Sequence, residues 1–136
     1  MMLDASVIVA NLLEEPEAGR IRAALAEEAG LVTTPLAIFE ASTRIAIVRA
    51  MSVAQAYAVV STFIEGSQVS IIPIDAAVGR DAHLCASRYH HLTGHAARLN
   101  MGDCFAYAAA KSAGLKLAYK GNDFVHTDID GIRFGA

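Results

Sequence analysis

The chain has no tryptophan, two cysteines, three prolines and few charged residues (18%). Each shortage excludes something. Cys85 and Cys104, at an irregular spacing, make neither a disulfide framework nor a zinc site; they read as small core residues in a reducing, cytoplasmic protein. No apolar run reaches membrane-spanning length, and Asp4 interrupts the first one with no basic segment before it, so neither an anchor nor a secretory leader is expected. No glycine-rich phosphate loop, internal repeat, linker or low-complexity stretch is present. A net charge of −3 argues against a surface that binds nucleic acid all over, and leaves room for a local basic patch. What remains is 136 residues at 54% hydrophobic, enough for one domain, 1–136, with a full core and no staples.

The opening stretch, Met1-Met-Leu-Asp-Ala-Ser-Val-Ile-Val-Ala-Asn-Leu-Leu13, is too long for one strand. It reads as a buried strand, Met1 to Asp4, followed by a helix from Ser6 to Leu13. Helices are then expected from Pro16 to Gly30, from Pro35 with Thr34 as its cap, and from Ser52, whose Ser-Val-Ala-Gln pattern is a capping box, to Gly66. Val53, Tyr57, Val60 and Ile64 supply the apolar stripe of the last of these. Strands are expected at Leu31–Thr34, at Val69–Pro73 (an edge, because of the proline), at Leu115–Tyr119 and near Gly131–Phe134. Asp75 caps a helix reaching about Tyr89; His90 to Leu99 loses periodicity; Asn100 opens a helix to about Ala113. Strands separated by helices imply an α/β fold with parallel pairing and right-handed crossovers.

Against that frame four acids fall at strand ends or helix starts. Asp4 ends the first strand, Glu40 lies in the helix after the second, Asp103 opens the helix before the fourth, and Asp123 follows the fourth. The carboxyl edge of an open α/β sheet is where ligands bind. Clustered carboxylates repel: a pair ~4 Å apart costs about 4 kcal/mol at an effective dielectric near 20. Protons or a cation relieve this, and Mg²⁺ or Mn²⁺ with oxygen ligands is the natural solution; such an ion can activate water and stabilise a phosphoryl oxygen. Each acid also has a purely structural reading. Asp4 and Asp103 could serve their helix starts, Glu40 could pair with Arg44 one turn on, and Asp123 could be a turn residue. Asp75 is read as a cap, and Asp81, Asp128 and Asp130 as surface or turn acids.

Taken in order, Leu-Asp4-Ala-Ser-Val-Ile-Val-Ala, Phe-Glu40-Ala with Arg44, Leu-Asn-Met-Gly-Asp103-Cys-Phe-Ala-Tyr-Ala-Ala-Ala-Lys111, and Tyr-Lys-Gly-Asn-Asp123-Phe with Thr127-Asp128-Ile resemble the PIN-domain ribonucleases, and more narrowly the VapC toxins of type II toxin–antitoxin systems. The resemblance spans essentially the whole chain. It implies a three-layer α/β/α sandwich whose five-stranded parallel sheet has the order 3-2-1-4-5. It implies that Asp4, Glu40, Asp103 and Asp123 are the metal-binding catalytic acids, with Mg²⁺ as cofactor and Mn²⁺ as a substitute. At the fourth position other members place an acid where this chain has Gly121 or Asn122. Ser6 matches a hydroxyl that orients the first acid. The resemblance also implies a homodimer and a cognate VapB antitoxin.

Between Ala82 and Gly102 the chain has no acid, but it has Arg88, Arg98 and four histidines, His91 among them, around Tyr89. With Arg44, these residues are candidates to meet RNA phosphate, and Tyr89 to stack a base. The function expected is Mg²⁺-dependent endoribonuclease activity; the alternative is a non-catalytic RNA- or protein-binding module on the same scaffold. A haloacid-type phosphotransferase is disfavoured because Ser6 stands where that chemistry needs a second acid.

Overall fold

The computed structural model describes residues 1–136. Five short parallel strands, β1 (Met2–Leu3), β2 (Val32–Thr33), β3 (Ser70–Ile71), β4 (Leu117–Tyr119) and β5 (Gly131–Arg133), form one sheet in the order β3-β2-β1-β4-β5. This is the arrangement that the resemblance implies. β3 is an edge strand, and Pro73 follows it at a place that needs no ladder hydrogen bond.

Successive side chains of a strand point to opposite faces, and here they enter two separate cores. Leu3 and Ala118 join a core built with α1 (Ala5–Leu12), α2 (Ala18–Ala26), α3 (Pro35–Arg49) and α4 (Val53–Gly66). Met2, Leu117 and Tyr119 join the other, under α5 (Ala76–Tyr89) and α6 (Met101–Ala113). The result is helices on both faces of a parallel sheet. No helix is long and apolar enough to cross a membrane.

The helix starts follow local chemistry. Thr34, Asp75 and Asn100 cap α3, α5 and α6 through their side chains, and Ser52 with Gln55 closes the expected capping box on α4. Two expectations need correcting. The second helix starts at Ala18, not at Pro16, and its preceding residue Glu17 makes no cap, because its carboxylate pairs with Lys120 at 3.1 Å. The buried stripe of α4 is Ala56, Val60 and Ile64, whereas Val53 and Tyr57 are exposed. The face that α4 buries is set by where α3 lies, and period alone does not say which side that is.

Candidate active site

Asp4 occupies the turn between β1 and α1 with extended backbone (φ −73°, ψ 156°). Its Oδ2 accepts the Ser6 N–H at 3.0 Å and the Ser6 hydroxyl. Ser6 Oγ in turn accepts the Lys120 N–H at 3.0 Å, so one hydroxyl ties the end of β4 to the first acid. The cap uses one carboxylate oxygen and leaves the other without a partner in the chain. Asp4 is only 7% exposed. Burial raises its pKa, the Ser6 hydrogen bonds oppose the rise, and the charge on Asp123 adds to it.

Asp103 stands in the first turn of α6, whose amino end lies at the carboxyl edge because the helix runs back before β4. It forms a reciprocal box with Asn100: Oδ2 accepts the Asn100 N–H at 3.0 Å, and its own N–H donates to Asn100 Oδ1 at 2.9 Å. Glu40 reaches the same turn from α3. Its carboxylate rests on the backbone of Gly102; a Cβ at that position would lie under 3.0 Å from three carboxyl atoms. Burial first, then the charges of Asp4 and Asp103, push Glu40 up to about 7. Burial also pushes Asp103 up to about 7; the Asn100 hydrogen bond opposes this, and the charges of Asp4 and Asp123 add. Asp123 is exposed in the turn after β4, and its charge is felt at Asp4 and Asp103.

No cation inside the chain neutralises these acids. The ion pairs go elsewhere: Arg22 to Glu14, Lys111 and Arg88 to Asp128, Lys120 to Glu15 and Glu17. The Glu40–Arg44 helix pair is not formed. The side chains do not close into a cage either: no three acidic, histidine or cysteine side chains stand at ligating spacing. The donor set nevertheless fits a hard divalent cation. It is all oxygen, and each acid keeps an oxygen free, as a hard divalent cation requires.

Beside the acids lies a cleft of about 510 Å³, lined by Ser6, Glu40, Thr43 and Arg44 on one side and by Glu15 and Lys120 on the other. Arg44 is exposed and unpaired there, while Lys120 is held by its two glutamates. The other candidate contacts are dispersed. Arg98 is exposed with left-handed backbone (φ 50°). His91 is exposed in a 3-10 turn, its ring 4.1 Å from that of His90. Arg88 lies 4.8 Å over the Tyr89 ring and 3.9 Å from Asp128, so the protein's own network engages it. Asn122 Oδ1 accepts from Arg133 and so serves the β5 end.

A PIN domain family model matches residues 1–130. The chain belongs to the PIN-domain family. Within that family it falls among the VapC ribonucleases. It is 43% identical over 138 residues to a VapC ribonuclease of Rhizobium meliloti (strain 1021), covering 93% of this chain and 97% of that one. It is 34% identical over 129 residues to ribonuclease VapC30 of Mycobacterium tuberculosis, covering 95% of each. Two solved structures share the fold. Mycobacterium tuberculosis VapC20, a Sarcin-Ricin loop cleaving toxin, superposes with a TM-score of 0.71 at 15% identity, over 94% of this chain and 95% of that one. VapBC2 from Rickettsia felis, bound to a DNA fragment from its promoter, gives 0.73 at 13% identity, over 97% and 96%.

Two features of this PIN domain escape a reading of the sequence, and a third leaves a trace in it. Tyr89 is buried, not free to stack a base; its hydroxyl donates to Asp128 at 3.2 Å. Asp128 is no idle turn acid: it also accepts from the Tyr107 hydroxyl at 2.5 Å and from Lys111 at 2.8 Å, and these hydrogen bonds, Lys111 first, hold its pKa well below the usual carboxylate range. Their distance in sequence hides that network. Gly102 did leave a signal. A glycine inside a helix costs ~1 kcal/mol against alanine and so asks for a reason; the reason is the Glu40 carboxylate.

Proposed function

We propose that this PIN-domain chain is a divalent-metal-dependent endoribonuclease and the toxin of a VapBC-type pair, with Asp4, Glu40, Asp103 and Asp123 as its metal-holding acids. One observation carries the reading: acids from the α1 cap, α3, α6 and the β4 turn share a field that no internal cation offsets. Mg²⁺, with Mn²⁺ as a substitute, would supply an activated water and positive charge for the phosphoryl oxygens. Asp4 and Asp103 would be its first holders, since each is fixed by backbone hydrogen bonds and keeps a free oxygen. Ser6 positions Asp4. Arg44, unpaired in the cleft beside Glu40, would meet an RNA phosphate. Arg98 and His91 would extend that contact along the α5–α6 side, Arg88 would join it only by leaving Asp128, and Asn122 would support the Asp123 turn.

The relatives' names and the VapBC assemblies among the structural neighbours support an RNA substrate and a VapB-type antitoxin as partner. Exposed Phe39, Val53 and Tyr57 around a groove of about 220 Å³ between α3 and α4 support a face covered in assembly, by the antitoxin or in a homodimer. With RNA as its substrate, the protein would act in the cytoplasm.

The test is RNA cleavage with Mg²⁺ or Mn²⁺, with and without EDTA, for wild type, Asp4→Asn and Asp103→Asn. Cleavage should need the metal and be lost in both variants, and expression of the wild type alone should arrest growth. Cleavage indifferent to EDTA and to both substitutions would remove the metal mechanism. RNA binding without any cleavage would favour a binding module instead.

A further inference from the structure

A second, smaller pocket of about 160 Å³ lies between α5 and the first turn of α6. Its wall is apolar, from Ala86 on α5 and Met101, Cys104 and Phe105 on α6, and two histidine rings, His83 and His90, complete it. The backbone sets the tautomer of each ring. His83 Nδ1 lies 2.8 Å from the Gly79 carbonyl oxygen. A carbonyl only accepts, so Nδ1 carries the proton and Nε2 of the neutral ring is left as an acceptor. His90 Nδ1 accepts the Leu92 N–H at 3.1 Å. The proton of that ring is therefore on Nε2, which is left as a donor. One ring nitrogen of each of these two lining histidines, an acceptor on His83 and a donor on His90, is thus left without a partner in the chain.

A nucleobase presents the complement: a flat apolar face, and an edge with a donor beside an acceptor. The size agrees. Sites for drug-sized ligands run to roughly 300–1,000 Å³, whereas this one admits a single ring system. The position agrees too. Met101, Cys104 and Phe105 share the opening of α6 with Gly102, which touches Glu40, and with Asp103. The pocket and the acids thus draw on the same first turns of α6, and a helix with its side chains is about 10 Å across. That span suits a nucleotide neighbouring the one whose phosphate meets the acids.

We propose that this pocket binds one unstacked base of the RNA close to the scissile phosphate and so sets the sequence preference of cleavage. The proposal rests on the nuclease reading above, and the test separates the two. A short single-stranded RNA that the wild type cleaves is made in two series. One carries 2-aminopurine at successive positions, the other an abasic nucleotide. The chain has no tryptophan, so emission from the base analogue is read without protein background of that kind. The pocket is filled from inside by Ala86→Leu, and from its largely exposed rim by Met101→Phe, which adds no tryptophan and does not depend on repacking a core.

With EDTA present, 2-aminopurine at one position should change its emission on binding, and both variants should abolish that change. An abasic nucleotide at the same position should lower kcat/KM of the wild type about tenfold or more. Filling the pocket should cost a similar factor on intact RNA, and the two losses should not add. If every position responds alike, or both variants keep the positional signal while the wild type still cleaves with Mg²⁺, the base pocket is wrong and the nuclease stands. If the wild type neither binds RNA nor cleaves it with any divalent metal, the nuclease reading fails and takes the pocket with it.

Discussion

Gly102→Ala should separate activity from stability. The backbone at Gly102 is not in the left-handed region, so alanine can adopt it. Alanine is the better helix former by up to about 1 kcal/mol. The added Cβ, however, would lie 2.5 Å from Glu40 Cδ, where ordinary contact begins at 3.4 Å. At Cδ the carboxylate must therefore retreat by about 0.9 Å, the difference of those two distances, and by more at its two oxygens, which lie closer still. Glu40 ends in a flexible chain, so the retreat costs the fold little. It costs the site more, because a misplacement of ~1 Å can lower a rate by about 100-fold. The assay is cleavage of a fluorogenic RNA across a Mg²⁺ titration, beside thermal melting in EDTA. We expect a rate loss of about 100-fold and a Tm equal to or above that of wild type. Wild-type cleavage with an unchanged Mg²⁺ midpoint would refute the role given to Glu40. A large drop in Tm would show that the damage is to packing and not to the carboxylate.

Three further outcomes are expected. Glu40 and Asp103 sit near about 7 against ordinary values of 4.5 and 3.8, so the metal-free fold prefers them protonated; that stability is full below about pH 4 and is lost as pH rises through about 7. The Tm in EDTA should thus fall between about pH 5 and about pH 8, and Mg²⁺ should reduce the fall; a flat profile in EDTA would contradict the buried, repelling cluster. Asp128→Ala strips the acceptor from the buried Tyr89 and Tyr107 hydroxyls and frees Lys111, which should cost roughly 1–3 kcal/mol in urea unfolding while leaving the Mg²⁺ midpoint of cleavage in place. Arg44→Ala should raise KM more than it lowers kcat and reduce the salt slope of RNA binding by about one; an unchanged slope would remove Arg44 from the phosphate path.

Much of the fold was legible because its signals are local. Thr34, the Ser52–Gln55 pair, Asp75 and Asn100 each act within one helical turn, and each caps the helix it was expected to cap. The strand order required the resemblance to PIN domains, since strands of two or three residues carry almost no pattern of their own. Burial was misread where it depends on a neighbour. Val53 and Tyr57 fit the period of α4 yet face outward, and Tyr89, placed among basic residues, turned inward to Asp128.

From its residues alone this chain specifies which acids open helices and close strands, because capping and chain reversal are chemistry between near neighbours. Tertiary structure alone decides that Glu40 from α3 comes to rest on Gly102 of α6, beside Asp103 and within the field of Asp4. Like charges do not seek one another; two apolar cores packed on opposite faces of one sheet drive those helices together, and the repulsion is the cost of their meeting.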